Sequence, residues 1–284
     1  MIPASFQYHR PTSVSEAADL LARNEASAKI LAGGHSLLPM MKLRLSQPEI
    51  IIDLGAIDSM SYINKRDGGV AIGGMTTYAD IASSAIVPKA LTDAAGQVAD
   101  VQVRNRGTIG GSLAHSDPAA DLPAAILALD GQISTSSTEK HRTIKVADFF
   151  QDLFTTTLKE SEILSEVFLP DQPQNSGSAY IKFANKASHY AIVGVASTVT
   201  LTNGECTAAT IGITGAGPTA YRASHVESQL IGRSLDENTI AAASENAGIG
   251  VDMNDDIQAS GEYRAHLVKV LTVRSVNLAI KRAR

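Results

Sequence analysis

The sequence predicts an α+β protein: two α/β subdomains followed by a C-terminal α+β domain with a small antiparallel sheet. Three observations carry this. Strand and helix signals alternate through the first part of the chain, beginning with a strand–loop–helix–strand unit. A polar linker, Asp171-Gln172-Pro173-Gln174-Asn175-Ser176-Gly177, then interrupts the pattern. Beyond it, two long strand-like runs are joined by Asn203-Gly204, a dipeptide suited to a tight hairpin because both residues tolerate positive φ. The expected units are 1–54, 55–175 and 178–284. A length of 284 residues with 44% hydrophobic content supplies material for real cores and excludes disordered and fibrous classes.

In the first unit, Ser13-Val14-Ser15-Glu16 reads as a capping box, with Val14, Ala17, Ala18, Leu20 and Leu21 following at helical spacing. Lys29 to Ala32 reads as a short strand ending at Gly33-Gly34, Leu37 to Leu45 as a helix, and Ile50 to Leu54 as a buried strand. The second unit opens with a strand at Val70 to Gly73 and a short helix at Thr77 to Ser83. An alanine-rich helix is expected over Pro88 to Ala99 and another over Asp121 to Leu129. Strand signals then cluster at Gln132 to Ser136, Thr143 to Val146 and Ile163 to Leu169, where Pro170 stops the run. In the third unit, strands are expected at Ala179 to Phe183, Val193 to Leu201 and Ala208 to Thr214. Helices follow at Ser224 to Ile231, Asp236 to Ala247 and Glu262 to Arg282.

Several function classes drop out. A net charge of −5 argues against a protein that lives on nucleic acid, which needs a basic face. The single cysteine, Cys206, excludes an internal disulfide and any thiolate-held zinc or iron–sulfur site within this chain. The start carries no basic segment leading into a long apolar run, and no stretch is apolar enough to span a membrane, so a cytoplasmic chain without a transmembrane segment is expected. Neither a P-loop nor a Gly-x-Gly-x-x-Gly after a strand is present; Gly212, Gly215 and Gly217 have the wrong order and precede Pro218. No zinc-protease helix occurs, and Ser36, Ser112 and Ser116 lie outside any nucleophile elbow. No catalytic side chain and no metal site are therefore expected.

Two glycine pairs are the chemically informative feature. Leu31-Ala32-Gly33-Gly34-His35-Ser36 lies between a predicted strand and helix, and Arg106-Gly107-Thr108-Ile109-Gly110-Gly111-Ser112-Leu113-Ala114-His115 contains the second pair. Adjacent glycines let backbone N–H groups converge on an anion, and a nearby serine adds a hydroxyl donor. Two such cradles suit a pyrophosphate; the plainer alternative is a pair of tight turns. Asp117 and Asp121, four apart, could bind ribose hydroxyls or hold backbone amides as helix caps. The last helix carries Arg264, His266, Lys269, Arg274, Lys281, Arg282 and Arg284, which reads as a solvated face, or more sharply as a docking surface for an acidic partner.

These motifs have a family resemblance. Ala32-Gly33-Gly34-His35-Ser36-Leu37-Leu38-Pro39 with Lys42, and Thr108-Ile109-Gly110-Gly111-Ser112 with Asp117 and Asp121, resemble the two flavin signatures of the FAD-binding medium subunits of molybdenum hydroxylases, the carbon monoxide dehydrogenase and xanthine dehydrogenase group. Phe6-x-Tyr8-x-Arg10-Pro11, Gly73-Gly74-Met75-Thr76-Thr77, Glu162-Ile163-Leu164 and Ala259-Ser260-Gly261-Glu262-Tyr263-Arg264 fall in the expected order, so the likeness spans nearly the whole chain.

The resemblance implies a vanillyl-alcohol-oxidase-type fold holding FAD. Ala32, Gly33, Gly34, His35, Ser36 and Leu37, and Thr108, Ile109, Gly110, Gly111 and Ser112, would bind the pyrophosphate and its neighbours. Gly74, Thr77 and Asp117 would also contact the cofactor. Asp121 would bind on the adenosine side, and Leu164 would line the cofactor. Lys182 would sit near the flavin's polar edge and Tyr190 near the isoalloxazine face. Two departures stand out: His189 where aspartate is common, and Phe183-Ala184-Asn185-Lys186 where arginines are common.

As implied, the chain is an electron-transfer subunit. It would take electrons from [2Fe–2S] clusters on a small iron–sulfur partner, beside a large molybdopterin subunit, and pass them to NAD, a quinone or oxygen. A dimer of heterotrimers is the corresponding assembly. The alternatives are a self-contained small flavoenzyme and a non-redox assembly subunit of the same fold.

Overall fold

Ser13 opens the first helix as its sequence predicts, accepting from the Glu16 N–H at 3.2 Å, while Glu16 Oε2 turns back to the Thr12 N–H at 2.9 Å. This computed structural model describes residues 2–283; Met1, the start of the first expected unit, and Arg284, the last of the basic residues singled out, lie outside the described residues. The N-terminal elements are β1 (Gln7–His9), α1 (Val14–Arg23), β2 (Ala28–Leu31), α2 (Leu37–Lys42) and β3 (Ile50–Asp53). β3 is central, with β1 and β2 parallel on either side. Ile50, Ile51 and Ile52 are all buried, which explains their unbroken apolar run. β1 was not expected, because Gln7, Tyr8 and His9 carry no apolar alternation.

Next come β4 (Ile63–Arg66), β5 (Gly69–Gly73), α3 (Tyr78–Ser83), α4 (Lys89–Gly96), α5 (Val101–Arg104), α6 (Ile109–His115) and α7 (Asp121–Ala128). β6 (Gln132–Ser136), β7 (His141–Lys145), β8 (Phe150–Asp152), β9 (Thr155–Thr156) and β10 (Ile163–Pro170) follow. β4-β5-β10-β6-β7 form an antiparallel sheet, and β8-β9 a small hairpin. The alanine-rich helix stops at Gly96 instead of reaching Ala99. Ala99 takes φ +38°, and Asp100 caps a separate α5 by accepting from the Val103 N–H at 2.9 Å. Every residue of α7 is buried, so it shows little one-sided apolar pattern.

The remaining elements are β11 (Ser176–Ala184), β12 (Ala191–Thr202), β13 (Glu205–Thr214), β14 (Tyr221–Arg222), α8 (Ser224–Leu230), α9 (Glu237–Ser244) and α10 (Gly261–Ala283). The strands pair antiparallel in sequence order. Asn203 and Gly204 form the two-residue turn with φ +52° and +88°, as a primed turn requires. The expected linker is shorter than read, since Ser176 and Gly177 already belong to β11; a Cβ at Gly177 would collide with the Ala279 carbonyl of α10.

This sheet is covered on both faces. Ser178 and Tyr180 face α4 and α7: Ser178 Oγ accepts from the Ala90 N–H at 3.0 Å, and Tyr180 Oη meets Asp121. Ala179 packs instead in the core shared with Leu267, Val268, Leu271 and Val276 of α10. The solvated-face reading of the last helix is corrected at Arg264. This residue is 4% exposed and donates to the Ile192 and Gly215 carbonyls, each at 2.7 Å, and to Asp256 at 2.7 Å.

Candidate functional site

Between β2 and α2 the backbone turns through Ala32-Gly33-Gly34-His35-Ser36. Gly34 takes φ +78°, a conformation strained for residues with a Cβ. The N–H groups from Gly33 through Leu37 donate to no acceptor among the described residues. Ser36 stands at the start of α2, and its hydroxyl makes no capping bond. His35 is exposed beside it. A run of undirected N–H donors beside a free hydroxyl is what a backbone anion nest consists of.

The second glycine pair is arranged differently from the first. Gly110 and Gly111 lie within the first turn of α6 rather than in a loop. The Ile109 N–H donates to Thr76 at 3.0 Å, Gly110 to Gly74 at 2.9 Å, and Gly111 to Thr108 Oγ1 at 3.2 Å. Only the Thr108 N–H in that stretch lacks a protein acceptor among the described residues. These glycines instead permit close approach. A Cβ at Gly110 would come within 2.6 Å of the Gly74 carbonyl, and one at Gly111 within 3.5 Å of Ala32 Cβ. Gly33 lies directly on the Arg106 carbonyl and Gly107 Cα, so the two glycine segments are brought together. Gly74 in turn packs on the Leu164 carbonyl.

Thr77 caps α3, and Thr108 caps α6, bridging to it. Ile109 is fully buried and Leu164 is 5% exposed, both within the core. Asp117 accepts from the Ala119 N–H at 2.9 Å, forming a local turn before α7.

Asp121, expected on the adenosine side, faces the interior. Its Oδ1 accepts from Tyr180 Oη at 2.6 Å and lies 2.9 Å from Lys182 Nζ, with both side chains of the ion pair at or below 5% exposure. Burial pushes the Asp121 carboxyl upward, while Lys182 and Tyr180 pull it back. Lys182 Nζ also donates to the carbonyls of Gln97 at 2.8 Å and His189 at 2.7 Å. These contacts hold the Lys182 ammonium inside the fold, between α4, α7 and the turn that bears His189.

Tyr190, by contrast, is 46% exposed, on the turn between β11 and β12. Burial of its inner part and the nearby Asp117 and Asp121 charges raise its pKa. A cavity of about 240 Å³ adjoins it, lined also by Pro118, Ala119, Ile192, Asn254 and Arg264. Sequence reasoning missed Tyr78. Its ring packs on Gly107, and burial pushes its phenol up to about 12, partly offset by Ser112 beside it. Glycine at position 107 was the available signal, but its partner 29 residues away is set only by the fold. Among the described residues no three His, Cys, Asp or Glu side chains converge on a metal-sized site, and no helix is long and apolar enough to cross a membrane.

Comparison with known proteins gives a consistent result. A family model described as the FAD binding domain in molybdopterin dehydrogenase matches residues 4–172, and one described as the CO dehydrogenase flavoprotein C-terminal domain matches 178–279. The chain is 38% identical to the 6-hydroxypseudooxynicotine dehydrogenase complex subunit alpha of Paenarthrobacter nicotinovorans, covering 100% of this chain and 97% of that one. It is 37% identical to the carbon monoxide dehydrogenase medium chain of Hydrogenophaga pseudoflava, covering 98% of each. The solved carbon monoxide dehydrogenase from Hydrogenophaga pseudoflava lacking the Mo-pyranopterin moiety superposes with a TM-score of 0.96 at 38% identity, over 99% of both chains. Quinoline 2-oxidoreductase from Pseudomonas putida 86 gives 0.93 at 31% identity, over 100% of this chain and 99% of that one.

Proposed function

Because this chain belongs to the FAD-binding medium subunits of the carbon monoxide dehydrogenase and xanthine dehydrogenase family of molybdenum hydroxylases, we propose that it is the electron-transfer subunit of such a complex. In this reading it takes electrons from [2Fe–2S] clusters of a small partner subunit and passes them to an external acceptor, NAD, a quinone or oxygen. A large molybdopterin subunit oxidises the organic or gaseous substrate. The three units 1–54, 55–175 and 178–284 act as two cofactor-holding subdomains and a C-terminal domain that closes the cleft. The assembly is a cytoplasmic dimer of heterotrimers.

The observation that carries the reading is the run of N–H groups from Gly33 through Leu37 with no protein acceptor. Those donors and the free Ser36 hydroxyl suit the pyrophosphate of FAD, and the half-exposed Tyr190 ring offers a flat face for an aromatic cofactor. The residues present therefore fit the group. When bound, FAD supplies a ring that takes up and releases electrons. The chain's own residues hold and orient it. The Gly33–Leu37 backbone grips the anion, Gly111 keeps α6 clear of Ala32, the Thr108 N–H adds a donor from α6, and Tyr190 bounds the ring. No side chain here needs to move a proton in the substrate step.

The test is flavin release and identification from the purified chain, followed by an affinity titration of Ser36→Asp. A carboxylate at that place repels the pyrophosphate, so Kd for FAD rises about tenfold or more, equivalent to ~1.4 kcal/mol, while Tm stays unchanged. Equal affinity in the variant overturns the cradle assignment. A wild-type chain that takes up no flavin, even with its partners present, overturns the redox reading.

A further inference from the structure

Lys182 carries structural information beyond that reading. Its side chain is 3% exposed, yet its ammonium joins three separate parts of the fold. Asp121 opens α7, Gln97 follows α4, and His189 lies in the turn between β11 and β12. That turn is the one that presents Tyr190. It is folded internally by Asn185, whose Oδ1 accepts from the Ala187 and Ser188 N–H groups at 2.8 and 3.0 Å. The Asn185 carbonyl accepts from the His189 N–H at 2.9 Å, and its N–H donates to the Tyr190 carbonyl at 2.9 Å.

These bonds shape the turn without attaching it to the rest of the site. Attachment comes from Lys182 on the His189 carbonyl, from His189 Nδ1 lying 3.1 Å from the Ala99 carbonyl, from the Ala191 N–H on Ala119 at 3.2 Å, and from the Asn185 side-chain amide, which donates to Gln258 Oε1. His189 itself holds φ +62°, a conformation that a residue with a Cβ keeps only where its surroundings enforce it. Lys182 is the one lysine among those attachments, and the Asp121 carboxylate lies 2.9 Å from its Nζ in a buried place.

We infer that Lys182 is a positioning residue: it pins the His189 carbonyl between α4 and α7 and thereby fixes where Tyr190 meets the flavin. This rests on the reading that Tyr190 packs on the FAD ring. Lys182 acts through the turn and donates nothing to the cofactor, so its loss loosens Tyr190 while leaving the pyrophosphate grip intact.

Lys182→Met keeps the apolar stem and removes the donors. In the full chain without FAD, amide exchange over residues 185–191 is expected to quicken about tenfold. In the FAD-loaded chain, Kd for FAD is expected to stay within about threefold, whereas flavin emission, quenched by a stacked tyrosine, rises severalfold. Tyr190→Leu should raise emission to a similar extent, and Lys182→Met together with Tyr190→Leu should add nothing further.

Unchanged exchange and emission in Lys182→Met, with Tyr190→Leu brightening the flavin, overturn the inference and leave the FAD reading standing. Additive effects in the double variant also overturn it, since Lys182 would then act on the flavin directly. If Tyr190→Leu alone changes nothing, the stacking reading falls and the inference falls with it. Should Lys182→Met fail to fold because Asp121 is stranded, Lys182→Met together with Asp121→Asn removes both charges, and the same exchange and emission measurements decide.

Discussion

Glu162 shows how one side chain's surroundings decide its titration. Burial alone would raise its carboxyl, but the Arg142 guanidinium, 2.7 Å from Oε2, and the Lys159 N–H at 2.9 Å favour the charged form and hold it below the usual 4.5. A carboxylate depressed in the fold stabilises fully above its unfolded pKa, and that stability is lost as pH falls through the folded value. The urea midpoint should therefore drop between about pH 5 and 3, and the drop should be smaller in Glu162→Gln. A slope identical in both proteins would remove Glu162 from the acid response. At this scale the sequence was only partly legible. Gly33, Gly34 and Ser36 announced an anion nest because backbone donors need glycine's freedom, and the structure leaves those N–H groups free. The Asp121–Lys182 pairing was not read, because a contact across the chain is invisible to local pattern. Tyr78 carried no signal of its own.

Among elements, those with regular periodicity or strong turn chemistry were read well. α1, α7, β12 and α10 appear close to their expected bounds, and the Asn203-Gly204 turn sits where its dipeptide placed it. Elements set by tertiary pairing were missed: β1 has no apolar alternation and exists because β3 offers an edge, and α6 was hidden because glycines occupy its first turn. The hairpin gives a clean test. A Cβ at Gly204 meets nothing within 4 Å, so only its φ of +88° opposes substitution. Gly204→Ala should cost about 1–2 kcal/mol by urea denaturation, with FAD content unchanged. A neutral result would mean that the turn relaxes to another type.

For the whole molecule, the closing contacts join distant parts of the sequence. Arg282 near the end of α10 donates to Asp93 on α4 at 2.5 Å and to the Ser178 carbonyl at 2.8 Å, and Asp93 also accepts from the Tyr180 N–H at 3.2 Å. The pair is partly solvated, at 30% and 21% side-chain exposure, so Arg282→Ala should cost only about 1 kcal/mol, read from the urea midpoint. A much larger loss would show that the last turn of α10 anchors more than this contact. The same geometry has a consequence for synthesis. Asp93 and Arg282 are 189 residues apart, so at ~5–20 residues per second a ribosome needs about 10–40 s to deliver one after the other. Ala90, Leu91 and Ala94 of α4 meet α7 and β11 well before then, so within that interval α4 waits only for the Arg282 contact at the end of α10. The Gly33 nest is already complete, but the turn bearing Tyr190 has no α10 behind its sheet. The sheet that carries Tyr190 is thus the last part of this chain to gain its full cover, when α10 packs on β11 and β12.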